Sequence, residues 1–463
     1  MLPSLNNPEC QVGRKLGSCA TETQVILFFI SLYLVAIGQG GHKPCVQAFG
    51  ADQFDEQHPK ELKDRSSFFN WWYFTMCAGC MGTLWILNYI QDNLSWVVGF
   101  GIPCAVMIIA LLVFILGTWT YRFNVKGHGK SPFLRIGRVF VTAAGNRQAE
   151  TIQEETSGTL PPQISQQFNL ISLDTKYHSS VDEFFNTGSF LNKALLAPDC
   201  SIKEGNVAGS VVEVEEAKAV LRLVPIWATT LPFAIVFAQA PTFFTKQGFT
   251  LDRTIFPGFD IPAASLQTLI ALAIVVISPI YDRIFVPIAR AITRQPSGIT
   301  KLQRIGIGIF ISIFNVIFAA LVEMKRLQTA QEFGLVDEPD ATIPMSMWWL
   351  IPQYLLLGAA EVFTMVGLQE FFYDQVPDEL RSMGLALYLS IFGVGNFLSG
   401  FLISVIEGVT GSDGHDSWFA DNLNKAHLDY FYWLLAALSV IGFTLFICFA
   451  KSYVYNHKRI SRG

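Results

Sequence analysis

The chain has few charged residues for its length, which argues against a soluble protein. Aspartate, glutamate, lysine and arginine make up 15% of the 463 residues, whereas about a quarter is usual for soluble domains. The formal net charge is −5, and no basic stripe is present to neutralise phosphates, so nucleic-acid binding is not predicted. The chain does not open with a basic region, a short apolar stretch and a small-residue cleavage site, so we predict no cleaved signal peptide.

Motifs for metal, cofactor or covalent chemistry are missing as well. Neither a Gly-x-Ser-x-Gly sequence nor a phosphate-binding loop occurs. Cys77 and Cys80 spell C-x-x-C inside an apolar block, where small residues let membrane helices approach closely; that interpretation is favoured over a redox or zinc site. We therefore expect no enzyme, no catalytic residue, no metal and no cofactor. No metal-ligand cluster is formed by the histidines His42, His58, His128, His178, His415, His427 and His457.

What the sequence does have is long apolar blocks. Hydrophobic residues make up 51% of the chain, and a membrane-spanning helix needs about 20 mostly apolar residues. Trp71, Trp96 and Trp348 lie near block ends, as is typical of membrane interfaces. The pattern predicts an all-α polytopic membrane protein in contact with the lipid bilayer. Nine blocks are long enough, at about residues 24–50, 69–90, 96–119, 221–244, 263–290, 302–324, 345–372, 383–406 and 427–450.

Lysine and arginine are distributed unevenly between the two sides of these blocks. One side, which includes residues 121–220 and 451–463, holds 24 of the 32 basic residues; the other holds seven, and Lys43 lies inside a block. Because short cytoplasmic loops are enriched in lysine and arginine, the basic side is predicted to be cytoplasmic. Because the C-terminus is predicted to be cytoplasmic, nine crossings place the N-terminus on the outer side. An odd number of further helices upstream would bring the start of the chain to the cytoplasmic side, and we predict such helices.

The order of the blocks predicts three regions. Residues 1–120 form a partial N-terminal bundle of three transmembrane helices. Residues 121–220 form a cytoplasmic linker, whose Gln/Ser/Thr-rich middle is typical of flexible segments and whose end, Val211–Lys218, favours a helix. Residues 221–463 form a C-terminal six-helix bundle.

Two ionisable residues stand out inside the predicted membrane helices, where such a residue costs at least about 2.5–3.5 kcal/mol on insertion scales and usually has a function. Lys43 lies near the inner half of the first block, so its ammonium could simply reach the cytoplasmic interface. Glu361 lies in the middle of its block. It could make only a structural hydrogen bond, but we favour a carboxylate that faces a central cavity and there exchanges a proton or holds a charged ligand. Gln239 and Gln353 also need partners within the bilayer and are predicted to line that cavity.

One segment resembles a known family. The stretch from Gly38 to Glu56, rich in glycine and then in charge, closely resembles the signature of the proton-coupled oligopeptide transporter family, in its plant nitrate/peptide branch. The resemblance covers nearly the whole chain except the middle of the linker. It continues through Phe68–Phe74, Ile90–Asn93, Leu223–Ala228, Pro352–Phe372 and Asp378–Ser382.

The resemblance implies a major facilitator architecture, in which two six-helix bundles enclose a midplane cavity. The nine blocks then correspond to nine of twelve helices, helices 4–12, and the family's Glu-x-x-Glu-Arg motif of helix 1 is absent. Lys43 matches the helix-4 lysine that pairs with that motif, and Glu361 matches the helix-10 acid of the cavity. Phe237 stands where a nitrate transporter of the family has a nitrate-contacting histidine, and Cys77 stands where many peptide-transporting relatives have asparagine.

The function implied is proton-coupled secondary transport by alternating access. The expected partners are protons and a small-molecule or ionic substrate, namely nitrate, di- or tripeptides or related small solutes. The plant branch places the protein in the plasma membrane or the vacuolar membrane. The alternative is a truncated family member that is incompetent for transport, because helices 1–3 would supply half of the cavity wall.

Overall fold

Helices account for most of the structure, in agreement with the apolar blocks. The computed structural model describes residues 22–55, 58–93, 96–122, 132–146, 204–256, 259–293, 298–339, 341–411 and 417–453, so the linker's predicted flexible middle lies outside these residues. The helix-prone end of the linker is helical, within α5. The helices are α1 (Glu22–Ala51), α2 (Pro59–Asn93), α3 (Trp96–Leu116), α4 (Pro132–Asn146), α5 (Glu204–Leu221), α6 (Val224–Thr229), α7 (Leu231–Phe237), α8 (Thr245–Thr250), α9 (Thr268–Ile280), α10 (Val286–Thr293), α11 (Lys301–Glu332), α12 (Ile351–Asp374), α13 (Arg381–Thr410) and α14 (Leu428–Ser452).

Short turns and strands connect some of these helices. Single π-helical turns at Ala240–Phe244 and Tyr281–Phe285 precede α8 and α10. Strands β1 (Leu251–Asp252) and β4 (Ile343–Ser346) pair in parallel, and β2 (Thr254–Phe256) pairs antiparallel with β3 (Phe259–Asp260). The 3-10 turns are Gly117–Trp119, Ala263–Gln267, Met347–Leu350 and Asp378–Leu380.

The described helices confirm a multi-pass membrane protein. Seven are long and apolar enough to cross a bilayer, and the pair Glu213–Thr229 and Leu231–Thr250, bent by 48° where they join, meets the same criterion when taken together. Two prolines, Pro232 and Pro241, follow that bend, where they disturb the helical hydrogen bonds. α2 is not among these candidate spans, so the prediction of nine crossings stays a prediction. The seven are Ile26–Ala51, Val97–Trp119, Ala263–Thr293, Lys301–Glu332, Met347–Asp374, Arg381–Thr410 and Leu428–Ser452.

The polar contacts define two opposite ends of the bundle. At one end, which we call the linker side, the end of α1 and the start of α2 meet the end of α12 and the start of α13, through Asp52–Arg381 and Arg65–Asp374. At the other end, the far side, β1 pairs with β4. The linker side carries α4 and α5 and is the side predicted to be cytoplasmic.

α12 is the central helix of the packing. It packs against α11, α9 and α13, and α11 packs in turn against α14. The predicted N-terminal bundle reaches these helices directly, because α2 packs against α9 and α12, and α1 packs against α13. By contrast, the most apolar stretches of α1 and α3 are almost unburied, which fits helices that face lipid, since lipid tails are as apolar as leucine.

A buried polar network ties the far side of the C-terminal helices together. Arg326 and Glu323, both on α11, form an ion pair at 2.6 Å, with side-chain exposures of 1% and 0%. The Arg326 guanidinium also donates to Leu423 O (2.7 Å) and Asn424 Oδ1 (2.8 Å), in the loop between α13 and α14. Gln247 of α8 donates to Glu323 Oε2 at 2.6 Å. We call these five residues the far-side network.

A glycine permits the close approach of α7 and α13. A Cβ built on Gly395 would lie 2.4 Å from the Cβ of Ala234, whereas one on Gly393, half a turn away, would meet nothing within 4 Å. We therefore expect Gly395→Ala to lower the free energy of unfolding by about 1–3 kcal/mol, as overpacking does. Gly393→Ala is the matched control, measured by thermal unfolding in the same detergent. Equal stability of the two variants would contradict the close contact.

Candidate functional site

Glu361 lies at the interface between α2 and the C-terminal helices. It is near the middle of α12 and 4% exposed. The hydroxyl of Tyr73, on α2, donates to its Oε2 at 2.8 Å. Its Oε1 is also buried, and no described residue donates to it. The carboxyl group therefore has one oxygen occupied by α2 and one free to accept a proton or a ligand donor.

Aromatic and polar contacts join α12, the helix of Glu361, to the neighbouring helix α13. The Tyr388 hydroxyl accepts a hydrogen bond from Gln369, one residue of α12, at 3.0 Å. The ring of Tyr388 lies edge to face with Phe392 (5.8 Å between centroids), and Phe392 lies edge to face with Phe237 (5.5 Å). Phe237 is only half-buried. A row of aromatic rings thus joins Phe237 to Tyr388.

Of the other predicted site residues, one lies close to Tyr73 and the others lie elsewhere. Cys77 is buried one helical turn from Tyr73 on α2. Gln239 donates to Ser399 Oγ at 3.0 Å, so it joins α13 to the segment between α7 and α8. Gln353 donates to Gln247 at 3.3 Å and so extends the far-side network.

Lys43 is exposed on α1, and no described residue forms an ion pair or hydrogen bond with it. No contact joins it to Glu361. Glu361 and Cys77 therefore lie around Tyr73, whereas Lys43, Gln239 and Gln353 do not share contacts with that pair.

Asp282 anchors the first layer of contacts on the linker side of Glu361. It lies in the π turn before α10, and its carboxylate accepts hydrogen bonds from three α2 side chains: Ser67 (2.7 Å), Asn70 (3.0 Å) and Trp71 (3.3 Å). Hydrogen bonds to a carboxylate are stronger than bonds between neutral groups. Asp282 therefore holds α2 against the C-terminal helices.

Arg304 completes this layer from α11. Its guanidinium donates to Asn70 Oδ1 (2.7 Å) and to the carbonyl of Val362 (3.0 Å), and it lies 4.1 Å from the ring centroid of Tyr281. The side chain is 3% exposed. Because Val362 is the residue after Glu361, Arg304 links Asn70 of α2 to the backbone beside the buried carboxyl.

Ion pairs form a second layer, nearer the end of the bundle. Asp374 pairs with Arg65 of α2 at 2.8 Å and also with Lys301 of α11. Asp52, just after α1, pairs with Arg381 at 2.8 Å and accepts a hydrogen bond from Tyr373. These contacts connect α1 and α2 with the C-terminal helices. We call the pairs Arg65–Asp374, Lys301–Asp374 and Asp52–Arg381 the linker-side clasp.

The loop between α1 and α2 is held by its own contacts. The backbone N–H of Asp55 donates to Glu61 Oε2 at 2.7 Å, and Arg122 pairs with the same oxygen at 2.8 Å. These two donors stabilise the charged carboxylate, so the pKa of Glu61 lies below its usual value. The loop that presents Asp52 to Arg381 is thereby fixed.

Several residues of this interface were not predicted from the sequence. Tyr73 lies in a run that contributes to the family resemblance, but a tyrosine in an aromatic run carries no sign of a carboxylate partner. Asp282 and Arg304 resembled ordinary residues at helix ends, where solvated charges are common. The available signal was that Asp282 and Arg304 lie within the ends of apolar blocks and Asp374 lies just after one, where a partner reduces the cost of burial.

Comparison with known proteins identifies the family. Residues 2–419 match the profile of the POT family. The chain is 59% identical over 458 residues to Protein NRT1/PTR FAMILY 5.10 of Arabidopsis thaliana, covering 98% of this chain and 77% of that protein. It is 54% identical over 461 residues to Protein NRT1/PTR FAMILY 5.12 of the same plant, covering 98% and 76%.

Solved structures support the fold. The crystal structure of an auto-inhibited POT family peptide transporter matches with a TM-score of 0.58 at 23% identity, over 93% of this chain and 79% of that one. The POT family transporter PepTSo matches with a TM-score of 0.60 at 20% identity, over 92% and 78%. The resemblance predicted from Gly38–Glu56 is thus confirmed: the chain belongs to the POT family of membrane transporters, in its plant NRT1/PTR branch.

Proposed function

We propose that the protein is a proton-coupled secondary transporter that works by alternating access. The observation that carries the proposal is the buried Glu361 carboxyl, bonded to Tyr73 of α2 and with a second oxygen that no described residue contacts. A carboxyl at a helix–helix interface that must separate during transport can take up a proton in one state and release it in the other.

The linker-side clasp supports alternating access. It joins α1 and α2 to the C-terminal helices at one end only, and Asp282 and Arg304 add a second layer of bonds across the same interface. While these bonds are formed, the linker side is closed. The transition to the opposite state would break them together, and release of the solute on the predicted cytoplasmic side would follow.

The proposed substrates are nitrate, di- or tripeptides or related small solutes. Support comes from relatives: the NRT1/PTR proteins by name, a peptide transporter, and a POT family transporter solved with 5-aminolevulinic acid. Glu361 is the proposed proton-coupling residue, together with Lys43, and Cys77, Phe237, Gln239 and Gln353 are the proposed lining of the cavity. The proposed location is the plasma membrane or the vacuolar membrane.

The direct experiment is uptake by proteoliposomes that contain the protein. An imposed gradient, acidic outside, should drive saturable uptake of one of three labelled probes, namely nitrate, a dipeptide or 5-aminolevulinic acid, and a proton ionophore should abolish it. Protein-free liposomes are the control. Uptake of none of the probes under any gradient would instead favour the transport-incompetent alternative.

The clasp gives a separate prediction. Asp374→Asn removes the charge shared by Arg65 and Lys301, so the closed linker side should lose stability. The readout is labelling of Cys77, kept as the sole cysteine, by a maleimide reagent supplied from the linker side. We expect labelling about fivefold faster than in the protein with Asp374, because a change of about 1 kcal/mol in the equilibrium between the closed and open linker side has that effect. Asp337→Asn is the matched control, because Asp337 pairs with Lys425 on the far side. Unchanged labelling in Asp374→Asn would show that the clasp does not hold this side closed.

A further inference from the structure

A small polar cavity lies within the linker side of the interface between α2 and the C-terminal helices. It has room for a particle of about the size of one water molecule. Two layers of interface contacts surround it, so it is distinct from the Glu361 carboxyl. Its polar lining includes Ser66 and Ser67 of α2, Arg290 of α10, Lys301 and Arg304 of α11, and Glu370 of α12.

The cations around this cavity outnumber the acids. Arg290, Lys301 and Arg304 line it, against the carboxylates of Asp282 and Glu370. The Asp282 carboxylate already accepts three hydrogen bonds from α2, and Lys301 is shared between Glu370 and Asp374. Asp374 adds a third negative charge close by, but its other partner, Arg65, adds a fourth positive one. The cluster therefore retains one excess positive charge.

Two guanidinium donors in the cluster have no acceptor in the described chain. The Nε atoms of Arg290 and Arg304 are both buried and without a hydrogen-bond partner. Arg304 as a whole is 3% exposed. No described residue forms an ion pair with Arg290. Arg304 lies 4.0 Å from Glu370 through another nitrogen of its guanidinium, and Arg290 is half-buried. A buried donor without an acceptor is unfavourable, so the two Nε atoms mark a place where a further acceptor would be stabilised.

We propose that this cavity binds a small monovalent inorganic anion of the size of chloride. The anion would neutralise the excess charge and accept hydrogen bonds from the guanidinium groups. The hydroxyl of Ser66 lines the same cavity and is a further donor of the right kind, whereas that of Ser67 already donates to Asp282. A larger anion such as phosphate does not fit a space of this size, and a cation is disfavoured by the three basic side chains.

The position of the site links anion binding to closure of the linker side. Ser66 and Ser67 come from α2, whereas the basic residues come from α10 and α11. The site is complete only while α2 is docked on the C-terminal helices. Binding therefore stabilises the closed linker side, and by linkage closure raises the affinity for the anion. The inference adds a second ligand to the proposed transporter, and the binding measurement needs no transport.

The test is thermal unfolding of the full purified chain at constant ionic strength, with chloride progressively replacing gluconate. We expect a saturable rise of the unfolding temperature with chloride, because a ligand that binds only the folded protein stabilises it. Arg290→Gln should weaken the apparent affinity by about tenfold or more, and Arg290→Lys should restore part of it.

Arg283→Gln is the matched control, since Arg283 lies seven residues before Arg290 on the same segment, is exposed, and does not line the cavity. It removes the same charge and should keep the chloride response of the unsubstituted protein. An equal response in Arg290→Gln would place the anion elsewhere. A protein that does not respond to chloride would show that the cavity holds water only. Either result overturns the proposal.

Discussion

Glu361→Gln should reduce uptake driven by a proton gradient by at least about tenfold, which corresponds to about 1.4 kcal/mol. Glutamine has nearly the same shape and can still accept the hydrogen bond from Tyr73, but it cannot take up and release a proton. The interface should therefore stay folded while coupling is lost. The measurement is the initial rate of uptake into proteoliposomes at several outside pH values. Exchange of labelled for unlabelled solute without a gradient is measured in the same proteoliposomes.

Two further variants separate coupling from a structural effect. Glu407→Gln is the matched control, because Glu407 is exposed on α13 and should retain full uptake. Tyr73→Phe removes the donor but leaves the carboxyl, so it should shift the pH dependence of uptake rather than abolish uptake. Uptake by Glu361→Gln with the pH dependence of the unsubstituted protein would show that the carboxyl is structural.

The second large effect concerns the far-side network. Arg326→Met leaves the Glu323 carboxylate buried without its cation, and we expect the free energy of unfolding to fall by about 3–5 kcal/mol, as for other broken buried pairs. The same change also removes the bonds that fix Leu423 and Asn424 in the loop between α13 and α14. Thermal or denaturant unfolding in one detergent measures the difference.

An exposed ion pair supplies the control for this experiment. Lys425–Asp337 lies on the same side with side-chain exposures of 36% and 87%, so Lys425→Met should cost no more than about 1 kcal/mol. The double variant Glu323→Gln/Arg326→Met removes both charges and should regain part of the lost stability. Similar losses for Arg326→Met and Lys425→Met would show that the buried pair is not a main source of stability.

The class of protein and its family could be predicted from the sequence. Apolar blocks of about 20 residues are a local property, and their length matches the bilayer directly. The family resemblance around Gly38–Glu56 depends on residue identities alone and was confirmed. The importance of Glu361 could be argued as well, because a carboxylate deep in an apolar block needs a partner wherever the helix packs. Its role in coupling stays a prediction.

The partners of these residues could not be predicted, because they are distant in the sequence. Tyr73 and Glu361 are separated by 288 positions, and Arg65 and Asp374 by 309. A sequence pattern shows that each side chain is polar within or beside an apolar block, but not which one it meets. For the same reason the hydrogen bond from Gln353 to Gln247 in the far-side network could not be predicted, and the place of Gln353 in the cavity lining stays a prediction.

The sequence by itself therefore determined the membrane environment, the helical class and the family, since these depend on local hydropathy and on residue identity. Only the tertiary structure decided which charges meet at the linker side and which donors stay without acceptors there. The physical reason is that the energy of a buried charge depends on all of its neighbours in space. Arg290 and Arg304 show this: their cavity exists only because α2 is packed against α9 and α12.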